Sequence, residues 1–277
     1  MKEKISLKTV LSWGMALFVL WMLWTNLVVG FTKLKVKQES LPENFDGLRI
    51  VHISDFHNWS FSGMDGLVMK RLKAFEPDFI AITGDIVDGY RTNIPLALSF
   101  VEQLVEVAPC YYSTGNHERG LDESERQWLF EGMEKAGVIL LHDEVVTLER
   151  EGQTLIVAGL DDRPYSVEAG SITAAIDSIC QESDYNIVLS HKPHHFEEYK
   201  ASAADLVLSG HVHGGQARLP FVGGLYGSHQ GFLPEYDAGL YQDGDFAMVV
   251  SRGIGNSRFP IRFNNQPEML LIELKRQ

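Results

Sequence analysis

The sequence predicts an α/β domain behind one N-terminal apolar helix. An uncharged apolar run lies near the N-terminus. After residue 47, short apolar runs alternate with stretches whose apolar residues recur at helical spacing. The chain has 277 residues, 45% of them hydrophobic and 22% charged, enough for one large or two small domains with a real core and no sign of disorder.

No residue between Lys8 and Lys33 is charged, and residues 10–31 read VLSWGMALFVLWMLWTNLVVGF. About 20 apolar residues span a bilayer. Trp13, Trp21 and Trp24 are candidate interface anchors. A cleaved signal peptide has a shorter apolar core, roughly 7–15 residues, followed by a small-residue cleavage site. Here the run is longer and ends Gly30-Phe31-Thr32-Lys33, so residues 1–32 read as an uncleaved membrane anchor. A core helix fits poorly, because a helix apolar on all sides with lysines at both ends suits lipid.

Residues 33–47, polar and holding Pro42 and Gly47, read as a linker, and residues 48–277 as the domain. Strands are predicted over 48–53, 78–83, 110–113, 154–159, 186–190, 205–209, 247–251 and 269–274. Met64, Leu67, Val68, Arg71, Leu72 and Phe75 recur at helical spacing, and further helices are predicted over 96–107, 123–136 and 171–180.

The net charge of −13 is unevenly spread. Of 24 basic and 37 acidic residues, residues 1–37 hold six lysines (2, 4, 8, 33, 35 and 37) and only Glu3, leaving 18 basic and 36 acidic residues beyond. A body that acidic is a poor general binder of nucleic acid. Cys110 and Cys180 are far apart and neither has a CxxC partner, which excludes a disulfide framework and a thiolate zinc site.

Five predicted strands end in groups able to bind metal: Asp55-Phe56-His57, Gly84-Asp85-Ile86-Val87-Asp88, Gly115-Asn116-His117-Glu118, His191, and Gly210-His211-Val212-His213. Parallel strands bring their C-terminal ends to one edge, where α/β proteins place ligand sites on rigid elements. The glycines before Asp85, Asn116 and His211 are read as allowing sharp turns there. Any one block alone is more often structural; five in the same context point to one metal crevice.

The blocks SDFH, GDIVD, GNHE, SHKP and GHVHGG, in this order, resemble the calcineurin-like metallophosphoesterase superfamily over residues 48–277. GGQARLPFVG, SRGIG and PEMLLIEL further resemble its bacterial branch of small, often membrane-attached phosphodiesterases. The resemblance implies two facing β-sheets flanked by helices, with two divalent ions. Asp55, His57 and His213 would hold one ion, and Asn116, His191 and His211 the other, with Asp85 bridging them. Paired ions acidify a water and clamp a phosphate in line for displacement. His117, one residue past a ligand, would lean over the phosphate as the catalytic residue, stabilising the transition state or protonating the leaving alkoxide. Oxygen and nitrogen donors without sulfur favour Mn, Fe or Zn over Mg.

Arg218 and Arg252, with Arg258 and Arg262, are candidates for holding substrate phosphate, with a surface ion pair as the alternative for each. Asp88 is a candidate orienter of a ligand histidine or a solvent turn residue, and Asp161 and Asp162 are candidate crevice residues or turn residues. His52, His142, His194, His195 and His229 are read as bystanders.

The expected function is hydrolysis of a lipid- or envelope-associated phosphodiester or pyrophosphate. A phosphomonoesterase or protein phosphatase is the second enzyme reading, and a binding scaffold would have eroded ligands. A linker of about 15 residues would reach roughly 20–25 Å from the bilayer. Three lysines lie on each side of the anchor, and the short N-terminal tail tips the expectation toward a cytoplasmic N-terminus with an extracytoplasmic domain.

Overall fold

The computed structural model describes residues 6–61, 63, 65–164, 168–182, 184–256 and 259–277. Met64 and Arg258 lie outside the described residues.

Two six-stranded sheets face one another. The first runs, in spatial order, Gly30–Gln38, Glu268–Arg276, Arg49–Ile53, Phe79–Thr83, Cys110–Ser113 and Ile139–Leu140. The second runs Gly239–Asp243, Phe246–Val250, Leu206–Ser209, Asn186–Leu189, Gln153–Gly159 and Glu144–Arg150. Helices Asp65–Phe75, Ile94–Val105 and Glu123–Ala136 contribute to the core outside the first sheet, and Ser171–Ile179 and Phe196–Lys200 to the core outside the second.

The central strands are buried on both faces, and their period of two divides the core into three layers. Phe79 and Ala81 point between the sheets, while Ile80 and Ile82 meet the outer helices. In the second sheet Leu206 and Leu208 face inward and Val207 outward. Helix ends follow local chemistry: Asn93 caps Ile94–Val105 through the Leu96 amide, and Asp122 caps Glu123–Ala136 through that of Glu125.

The N-terminal helix spans Leu7–Leu27, is long and apolar enough to cross a membrane, and is almost wholly exposed. Trp13 and Trp24 are exposed, whereas Trp21 packs edge-on against Phe263 with ring centroids 5.4 Å apart. Asn26 clamps the backbone of Arg262, donating to its carbonyl at 2.9 Å and accepting from its amide at 2.6 Å.

The expected linker is not one. Residues 30–38 form an edge strand paired in parallel with the last strand, from Gly30 opposite Glu268 to Gln38 opposite Arg276. Leu34, Val36 and Gln38 turn inward between exposed Lys33, Lys35 and Lys37, and Leu41 and Phe45 are buried beyond them. Alternation of lysine with inward residues is a half-buried strand pattern, and the lysines suit an edge. The helix therefore enters the sheet through Val28 and Val29 alone.

Candidate metal centre

Three of the five motif-bearing tips come from the first sheet (Arg49–Ile53, Phe79–Thr83, Cys110–Ser113) and two from the second (Asn186–Leu189, Leu206–Ser209). The crevice thus lies where two sheets end together, and both close on it through glycines. A Cβ on Gly115 would sit 2.9 Å from the Asp85 carboxyl carbon, and one on Gly210 would sit 2.7 Å from Ser54 Cβ. Only Gly84 of these three has a positive φ, 80°. Close approach, more than turning, explains the other two.

The side chains gather into two groups joined by a third. Asp55, His57 and His213 offer ligand atoms all within 4.8 Å of one another, as do Asp85, His191 and His211, and His57, Asp85 and His117 form the group between them. His57 Nε2 lies 3.2 Å from His213 Nε2 and 3.6 Å from Asp85 Oδ2, and His191 Nε2 lies 3.1 Å from Asp85 Oδ2. Asp85 thus faces both groups. Asn116 Oδ1 is buried with no hydrogen-bond partner, an oxygen donor that a cation at this point would satisfy. The set therefore fits divalent ions held by oxygen and nitrogen.

Five of these residues, Asp55, His57, Asp85, His211 and His213, have φ between 46° and 71°. Left-handed backbone at such residues costs of order 1–3 kcal/mol each and concentrates at functional sites.

Electrostatics demand positive charge here. Asp85 is held well below the usual carboxylate range: burial opposes ionisation, but His191, His117 and His57 outweigh it. Burial likewise works against the protonated His191, yet Asp85 raises it to about 10. Burial dominates at His211 and His213, which are pushed down, His213 to about 3. Two buried carboxylates that hold protons on their neighbours form a site a cation can enter by displacing those protons.

His117 is positioned differently. Its Nδ1 accepts from the Gly89 amide at 2.8 Å, which leaves the proton of a neutral ring on Nε2. Burial lowers its pKa, and Asp85 only partly opposes this. The ring lines a cleft of about 470 Å³ with Asn116, Arg119, His211, Tyr226 and Phe259.

Arg218 and Arg252 do not line this cleft. Arg218 pairs with Asp237 at 3.0 Å, and Arg252 pairs with the buried Glu268 at 2.5 Å. Their guanidiniums brace loops, and among the described residues Arg119 is the arginine that lines the cleft. Arg262, expected at the surface, is fully buried, with Nη2 3.2 Å from His213 Nδ1. Asp88 accepts from the Tyr90 amide and pairs with Arg91, a turn role. Asp161 binds Thr114 and His142, and Asp162 pairs with Lys192 and Arg119.

Two residues gain roles that local sequence did not give them. His229 Nδ1 lies 2.9 Å from His211 Nε2, fixing that ring so its Nδ1 faces His191; a histidine in a glycine-rich loop carries no strand-tip signal. Glu118, fully buried, accepts from the amides of Asp85 and Gly115 at 2.8 Å and of Val87 at 3.2 Å. It joins the two loops that carry Asp85 and Asn116.

A family model described as calcineurin-like phosphoesterase matches residues 48–215. The chain belongs to that family. This phosphoesterase is 32% identical over 225 residues to the uncharacterized metallophosphoesterase YkoQ of Bacillus subtilis (strain 168), covering 80% of this chain and 82% of the relative. It is 27% identical over 239 residues to the phosphodiesterase YaeI of Escherichia coli (strain K12), covering 84% of each chain. It is 29% identical over 255 residues to a transmembrane protein with metallophosphoesterase domain from Danio rerio, covering 87% of this chain and 56% of the relative. Among solved structures, the Thermus thermophilus sulfate thiohydrolase SoxB shares the fold, with a TM-score of 0.51 and 12% identity over 85% of this chain and 57% of that one.

Proposed function

We propose that this metallophosphoesterase is a dinuclear, membrane-anchored hydrolase of a phosphodiester or pyrophosphate associated with lipid or the cell envelope. The observation that supports the reading is Asp85 lying between the two ligand groups at the junction of the sheets, 3.6 Å from His57 of one and 3.1 Å from His191 of the other. Asp55, His57 and His213 would hold one ion and Asn116, His191 and His211 the second, with Asp85 shared between them. Mn, Fe or Zn suits these donors better than Mg. Bound there, two divalent ions supply Lewis-acid activation of a water and a clamp on the phosphoryl oxygens.

The chain's own groups do the rest. His117 carries its proton on Nε2, toward the cleft, and gives it to the departing alkoxide; the Gly89 amide fixes that tautomer. His229 orients His211, and the Thr83 carbonyl, accepting from His191 Nδ1 at 2.7 Å, leaves His191 Nε2 turned to Asp85. The Leu7–Leu27 helix spans the membrane, its short N-terminal tail cytoplasmic, so the domain is extracytoplasmic.

The test is elemental analysis and a substrate panel on the full chain in detergent. Two transition-metal ions per chain are expected, with bis(4-nitrophenyl) phosphate cleaved faster than 4-nitrophenyl phosphate. Activity indifferent to chelators overturns the dinuclear reading, and a preferred monoester overturns the diester assignment.

A further inference from the structure

The described surface carries a belt of exposed apolar side chains continuous with the N-terminal helix. It begins at Trp21 on Phe263. Phe263 is bridged to Ala217, and the Gln216 side chain binds the carbonyls of Phe259 and Ile261, tying the 259–263 segment to the stretch after His213. From there the chain makes two hairpins, Arg218–Leu219 with Gly223–Gly224 and Tyr226–Gly227 with Gly231–Phe232. Phe221 and Val222 lie at the tip of the first, and Phe232 and Leu233 at the base of the second. Phe221 is fully exposed, Phe232 is 84% exposed and Phe259 69%. Scattered exposed apolar residues need no explanation, but a contiguous set beside a functional cleft marks an interaction surface.

The belt also borders the cleft, since Tyr226 and Phe259 line its mouth. Its position relative to the helix is fixed. Asn26 holds both backbone groups of Arg262, Gln266 donates to the Val28 carbonyl at 2.8 Å, and Arg262 reaches His213. Helix end, belt and metal ligands form one packed unit, with no flexible linker to let the cleft turn away.

We infer that Phe221, Val222, Phe232, Leu233, Phe259 and Ile261 sit in the headgroup layer of the bilayer that the helix spans, so that the cleft opens onto lipid and takes a phosphate ester from a lipid headgroup. Continuity with the helix selects the occupant, because a surface adjoining a lipid-embedded segment meets the same lipid first. Charge agrees: the acidic body gains nothing from an anionic membrane, so apolar side chains must hold the mouth there. The surface deepens the proposed function by naming where its substrate comes from, and the headgroup clause rests on that reading.

The test uses the full chain in nanodiscs of phosphatidylcholine with phosphatidylglycerol. Cys110 and Cys180 are buried and their thiols are pushed up to about 12, so a single introduced surface cysteine takes a spin label selectively. Labels at Phe221→Cys, Phe232→Cys and Phe259→Cys are expected to collide with oxygen in preference to a water-soluble nickel chelate. A label at Trp128→Cys, on the helix packed by the opposite sheet edge, is expected to show the reverse. Labels open to the chelate at all three positions overturn the inference, as does protection from both reagents, the mark of a second copy or a protein partner.

The kinetic arm uses Phe221→Ser with Phe232→Ser, neither of which lines the cleft. Cleavage of soluble bis(4-nitrophenyl) phosphate is expected to hold within twofold, while cleavage of phosphatidylglycerol in the same disc falls at least tenfold. Equal losses on both substrates, or none, overturn the headgroup assignment. If the unaltered protein cleaves neither diester, the proposed function fails and the spin-label result alone decides the surface.

Discussion

Glu118 holds the two ligand loops together, and its removal has a magnitude the structure supplies. Its carboxylate accepts three buried amides, those of Asp85, Gly115 and Val87. A buried donor left unsatisfied costs about 1–3 kcal/mol, so Glu118→Ala is expected to lose roughly 3–9 kcal/mol. That is a large part of an ordinary domain's stability, and it lowers the melting temperature by at least about 6 °C. Glu118→Gln keeps one oxygen for the Asp85 and Gly115 amides and fails only Val87, a loss of about 1–3 kcal/mol. Burial and the charge of Asp85 push Glu118 from 4.5 up to about 7. In chelated protein, stability from this group is therefore present below pH 4.5 and is lost as pH rises to about 7. Glutamine has no such proton, so the gap between wild type and Glu118→Gln narrows between pH 5 and pH 8. Thermal melts in detergent with metal analysis measure all of this. An alanine variant that melts within about 2 °C of wild type, or melts lower with its full metal complement, refutes the account.

Three further outcomes are expected. Asp85→Ala removes the carboxylate facing both ligand groups, so metal content and activity fall together, and a variant retaining both ions rules out the bridging role. His117→Asn is expected to cut turnover by about 10²–10⁴-fold with metal content unchanged; loss of metal would make His117 a ligand. Removing residues 1–37 is expected to unfold the domain, because it deletes the edge strand, whereas removing residues 1–27 leaves that strand and loses the contacts of Trp21, Thr25 and Asn26. Circular dichroism of both truncations decides, and a folded 1–37 deletion would make the edge strand dispensable.

The buried strands and their tips were legible because their signals are local. FIAIT and NIVLS are apolar runs of strand length, and the motif residues follow them directly. The edge strand at residues 30–38 was misread, residues 30–32 as the end of the anchor and 33–38 as linker, although its lysines alternate with Leu34, Val36 and Gln38; the lysines outweighed the period. Glu144–Arg150 also escaped, since it is largely solvent-facing and gains its identity from pairing with Gln153–Gly159. Arg262 and His229 could not be placed, because nothing near them announces burial against His213 or contact with His211. Composition reported an acidic body but could not show that Tyr226 and Phe259, from separate segments, both line the cleft.

The pairing of Gly30–Gln38 with Glu268–Arg276 also sets an order of events in biosynthesis. The first strand leaves the ribosome directly behind the N-terminal apolar helix, and its partner is made only after all the other strands of both sheets. At about 5–20 residues per second, the wait is on the order of 10–50 s. Throughout it an unpaired strand follows the apolar helix with its ladder groups exposed to any other nascent edge. Synthesis of Glu268–Arg276 is what closes the sheet, so a message truncated before that strand leaves a chain that cannot finish folding and is exposed to quality-control proteases.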